Sequence, residues 1–65
     1  MNVLLEMTTL SMARPAHGAG KSEVAAWFEA KARLHEYIAA QGGADAGREN
    51  ELAINAHRRS RLLLV

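Results

Sequence analysis

Sixty-five residues, with eight Lys and Arg against seven Asp and Glu, make one small and nearly neutral domain of formal net charge +1. The absence of cysteine excludes a disulfide scaffold, a thiolate metal site and a thiol nucleophile. The 49% hydrophobic share rests heavily on alanine, and the only aromatic residues are Trp27, Phe28 and Tyr37. Ordering a residue costs roughly 1.5 kcal/mol, whereas apolar burial returns about 25 cal/mol per Å². A chain of this make-up is expected to complete its core against a second copy or another protein.

The first segment, residues 1–13, is apolar but has no basic stretch before it, and Glu6 interrupts it. A secretory signal is not expected from that pattern, although Ser11-Met12-Ala13 loosely resembles a small-residue cleavage site. No apolar run approaches the roughly 18 to 20 residues of a membrane span, so a cytoplasmic protein without membrane contact is expected. Val3, Met7 and Leu10 have helical spacing, while Val3, Leu5 and Met7 fit one face of a strand. Thr8 and Thr9 tilt the expectation to a strand-like or extended arm.

Residues 14–21 break the chain with Pro15, Gly18 and Gly20. Pro15 to Ser22 reads PAHGAGKS, which matches the end of a phosphate-binding loop with Gly20, Lys21 and Ser22 in register. Proline stands where that loop opens with glycine, and the chain has no room for the parallel sheet and second acidic motif that hold Mg²⁺. The segment therefore reads as a linker that ends in a helix N-cap at Ser22.

A helix is expected over about 22–41, since Glu23 to Gln41 contains neither Gly nor Pro and Gly42-Gly43 ends it. A second helix is expected over 46–63, capped by Asp45, with Glu49 and Glu51 near its start and Arg58, Arg59 and Arg61 near its end. The fold class is thus all-α. An antiparallel helical hairpin over 22–63 follows the arm, and the whole is a single domain that self-associates into a helical bundle.

At 100° per residue, Val24, Trp27, Phe28, Leu34 and Ile38 share one arc of the first hairpin helix, with Lys31 and His35 inside it. Glu29, Arg33 and Glu36 lie opposite. The second helix offers only Leu52, Ala56 and Leu63, with Asn55 and Arg59 at the margins. The first helix therefore carries more apolar surface than the second can cover, which is the argument for a homodimer or higher assembly. The expected interface is Val24, Trp27, Phe28, Lys31, Leu34, His35, Ile38, Leu52 and Leu63. Within it, Lys31 either lays its stem over Phe28 or Trp27 or, with His35, pairs with Glu49, Glu51 or Asp45.

His35-Glu36 opens the zinc-protease pattern H-E-x-x-H, but its closing position is Ala39; His17, His35 and His57 have no ligand spacing, so no metal and no cofactor are expected. His57, Arg58 and Arg61 share a broad face and are the candidate nucleic-acid contacts, against the plainer reading of basic residues that complement a helix C-terminus. Leu62 to Val65 form an apolar end that needs cover from the arm, a second copy or a peptide-binding groove. No nucleophile, base and acid assemble into a motif, so catalysis is not expected. The expected function is that of a non-catalytic adaptor, inhibitor or structural subunit that binds itself or another protein. The alternative is a small dimeric DNA-binding regulator with the element order of a ribbon-helix-helix protein, which requires a strand between Val3 and Leu10.

Overall fold

The computed structural model describes residues 2–65 and contains three helices: α1 (Val3–Met12), α2 (Lys21–Ala40) and α3 (Ala46–Leu63). The arm expected to be strand-like or extended is therefore a helix, and no strand occurs among the described residues. Two local features explain the difference. The Asn2 side chain accepts a hydrogen bond from the Leu5 amide at 3.1 Å, which caps the first turn. Thr8, which argued for the extended state, donates its hydroxyl to the Leu4 carbonyl at 3.0 Å and sits in the helix without an unpaired polar group. Pro15 then keeps Arg14 out of the helical region and stops α1 at Met12.

Helices α2 and α3 fall within one residue of the expected 22–41 and 46–63. Their caps differ from expectation. Gly20 is the N-cap of α2, with no side-chain cap bond, so Ser22 lies inside the first turn; Asp45 occupies the N-cap of α3 without capping it through its side chain. The turn depends on Gly42 and Gly43, at φ 80° and 95°, a conformation that side-chain-bearing residues rarely adopt.

Helix α2 is the centre of the fold. Both α1 and α3 run antiparallel to it on different flanks, and α1 and α3 do not pack on each other. The result is an open layer of helices measuring 37 × 24 × 15 Å. The α2–α3 seam consists of Ala25 and Ala32 against Ala53, Ala56 and Ser60, all buried. Small side chains let the two backbones approach closely. Leu34 is the one large apolar residue in the buried set, and no large side chain is fully enclosed among the described residues.

The seam also corrects the expected faces of α2. Helix α3 packs on the alanine side, bordered by Glu29 and Glu36 on one edge and by Phe28 and His35 of the apolar arc on the other, and away from Trp27. Glu29 and Glu36, expected to face away from the hairpin, therefore look at α3. Part of the larger apolar arc faces α1 instead, where Thr9, Leu10 and Ala13 line an open cleft of about 330 Å³ with Ala26, Trp27 and Leu34. A hydrogen bond of 2.9 Å from Trp27 Nε1 to the Leu10 carbonyl fixes that contact.

Candidate functional site

Two clusters of chemistry-bearing side chains stand on α2, one on the side that faces α3 and one within the apolar arc. The first is built around His57. Its Nδ1 lies 2.8 Å from Glu29 Oε2 and its Nε2 2.8 Å from Glu36 Oε1, so one imidazole from α3 bridges two carboxylates of α2. Glu29 and Glu36 are seven residues apart, two helical turns, and so share one face. Carboxylates only accept, so two ionised glutamates favour the imidazolium form of the ring, in which both nitrogens donate. The hydrogen bonds to Glu29 and then Glu36 raise the His57 pKa above the ordinary histidine value, against a desolvation effect that lowers it. Reciprocally, the bond from His57 holds the Glu29 carboxyl below its ordinary value, with smaller contributions from the Ser60 hydroxyl and the charge of Arg33.

Nearer the α2–α3 turn, His35 Nδ1 meets Glu49 Oε2 directly. This is one of the partners expected for the Lys31–His35 pair. Lys31 takes another course: its Nζ lies 5.6 Å from the centre of the Trp27 ring.

The second cluster is aromatic and cationic. Trp27 and Phe28 meet edge to face, with ring centroids 5.2 Å apart and planes at 79°. Arg14 reaches over Trp27 at 5.5 Å and Arg59 over Phe28 at 5.3 Å. Val24, Trp27, Phe28 and Lys31 line a cleft together with Arg14 and Pro15. The structure thus brings part of the expected interface into one place and uses it within the chain. Val24, Trp27, Phe28, Lys31, His35, Ile38, Leu52 and Leu63 are half-buried, and Leu34 is buried. Of the expected nucleic-acid contacts, Arg58 and Arg61 are exposed, with Arg58 Nη1 donating to Asn55 Oδ1 at 3.4 Å; His57 is bound to the two glutamates.

Four of these residues escaped the sequence reading: Glu29 and Glu36 at the His57 bridge, and Arg14 and Arg59 at the aromatic pair. The i,i+7 spacing of two glutamates on α2 was the available signal for the first pair. For Arg14 and Arg59 there was none, since each is brought to its ring by the chain path.

Among the described residues, no group of three His, Cys, Asp or Glu converges as a metal site. Gly20, Lys21 and Ser22 enter α2 from a loop that follows a helix, so the strand that precedes a phosphate-binding loop is absent from the described residues. Two exposed apolar surfaces remain, the C-terminal end, where Leu62 and Leu64 are open, and the outer side of α1. Helix α1 has no buried residue, and Leu4, Leu5 and Met12 are 76%, 60% and 84% exposed. Comparison with protein-family models, with curated proteins and with solved structures returned no match in any of the three.

Proposed function

We propose that this chain is a non-catalytic assembly protein, a small adaptor, inhibitor or structural subunit, that acts as a homo-oligomer joined through the outer side of α1. The observation that carries this reading is the placement of Leu4, Leu5 and Met12 on a ten-residue helix whose other side is already docked on α2. A helix that is apolar on both sides calls for cover on both. These side chains, with Met7 beside them at 48% exposure, leave on the order of 500 Å² of apolar surface on one helix, at the upper end of what monomers expose. Two such faces reach the roughly 1,000 Å² at which specific association begins. Leu4, Thr8 and Met12 succeed one another at i, i+4 and i+8, so a two-fold axis through Thr8 lays one α1 antiparallel on its copy.

The expected interface moves accordingly. Trp27 and Leu34 support α1 from beneath, and the outer side of α1 makes the contact between copies. The ribbon-helix-helix alternative loses its paired strands, because residues 3–12 are helical.

The lack of cysteine makes the test clean. Thr8→Cys is expected to form a disulfide-linked dimer under mild oxidation at micromolar concentration, while Arg48→Cys, near the α2–α3 turn, remains monomeric. Equal cross-linking from both positions, or none from Thr8→Cys, contradicts the proposed face.

A further inference from the structure

The near-neutral balance of the chain hides a polar distribution of charge. The three ion pairs among the described residues are all between histidine and glutamate, so no Lys or Arg is paired with a carboxylate. The N-terminal end of α2 meets the linker and the C-terminal end of α3, and this end gathers Arg14, Lys21, Arg58, Arg59 and Arg61 against Glu23, with Lys31 near the middle of α2. Asp45, Glu49 and Glu51 belong to the opposite end, around the turn. Cations over aromatic rings occur about once in 70 to 80 residues of ordinary protein. Here two adjacent rings hold three, Arg14 and Lys31 at Trp27 and Arg59 at Phe28. The cleft lined by Arg14, Lys31 and the two rings measures about 360 Å³, carries Pro15 and Val24 beside the rings, and has no carboxylate in its lining; Arg59 sits over Phe28 beside it.

We propose that this cleft binds single-stranded nucleic acid, with backbone phosphates at Arg14 and Lys31 in its lining and at Arg59 beside it, these cations swinging off the ring faces so that a base can lie against Pro15, Trp27 and Phe28. Aromatic surfaces that take bases regardless of sequence, set among cations that follow the backbone, are the recognition chemistry of single strands. The size of the cleft suits one base, within the range of ordinary small-molecule sites. An acidic protein surface would use the same cations but leave the aromatic floor without a flat partner.

Trp27 is the only tryptophan in the chain, so its emission reports directly on the cleft. The probe is a twelve-nucleotide oligothymidylate titrated at low salt, with a duplex of equal length and polyglutamate as parallel arms. The single strand is expected to change Trp27 emission saturably and to bind more tightly than either alternative. Lys31→Gln and Arg59→Gln are each expected to weaken binding roughly fivefold to tenfold in 50 mM salt. Each is also expected to flatten the slope of log K against log salt by about 0.7. Arg48→Gln, the same charge change at the other end, leaves binding within about twofold. The proposal is overturned if the wild-type protein shows no saturable change, if polyglutamate or duplex matches the single strand, or if Arg48→Gln weakens binding as much as Lys31→Gln. The wild-type titration stands even where a variant folds poorly.

Discussion

The two contacts made by α2 differ in kind. Its contact with α3 is a seam of buried alanines, clipped at two places by histidine–glutamate pairs. Its contact with α1 rests on the Leu10–Trp27 hydrogen bond and on half-buried side chains, and α1 buries none of its own residues. The small residues fill the first contact within one chain, although α3 leaves Ile54 and Leu62 open outside the seam. The second is one-sided: α1 covers part of α2 and then presents an apolar surface of its own. The excess of apolar area read from α2 is thus passed outward to α1 and is not removed.

Overfilling the seam is the largest perturbation of this contrast. Ala32 and Ala53 are 0% and 1% exposed, so Ala32→Leu or Ala53→Leu is expected to cost about 1–3 kcal/mol in chemical denaturation. A similar loss from Leu4→Ala, on the exposed side of α1, would erase the distinction. Next in size is Trp27→Phe, which removes the donor to the Leu10 carbonyl. It is expected to cost about 1 kcal/mol and to speed amide exchange in residues 3–12 while the α2–α3 seam stays protected.

The His57 bridge makes the seam sensitive to pH from both sides. The His57 pKa is raised, so its contribution is whole below the ordinary histidine value of about 6.5 and fades as pH rises through the elevated one. The Glu29 pKa is lowered, so its contribution is whole above the ordinary glutamate value of about 4.3 and fades as pH falls through the depressed one. Thermal stability is therefore expected to be greatest in weakly acidic solution and to decline on the alkaline side. That alkaline decline should be absent from His57→Gln. The bridge is part-exposed, with the Glu36 side chain at 52%, so the effect is modest and shrinks in high salt.

The smallest effect on folding is expected from the paired variant Leu4→Glu, Met12→Glu. Both positions are open, so chain stability is expected to stay within about 0.5 kcal/mol while self-association is lost.

The hairpin was legible because Pro15, Gly18, Gly20, Gly42 and Gly43 punctuate it and the helices between them contain few breakers. The arm was not, since the spacing of its apolar residues fits either period and Asn2, the residue that decides for a helix, lies just ahead of the pattern. The faces of α2 misled for a different reason. A hydrophobic pattern ranks residues by apolar character and places the large ones inward, whereas α3 chose the side where Ala25 and Ala32 allow the closest approach. Side-chain size outweighed hydrophobicity, and that choice turned Glu29 and Glu36 toward His57. The antiparallel return of α3 brings Glu49 to His35, whereas the aromatic–cation cleft requires the path of the linker as well.

The most direct test of the α1 surface is the mass of the wild-type protein by light scattering across a concentration series. The account predicts a rise from the 7.1 kDa of one chain to at least twice that value, abolished by the Leu4→Glu, Met12→Glu pair with helix content unchanged. A wild-type mass that stays at one chain up to high micromolar concentration would contradict it.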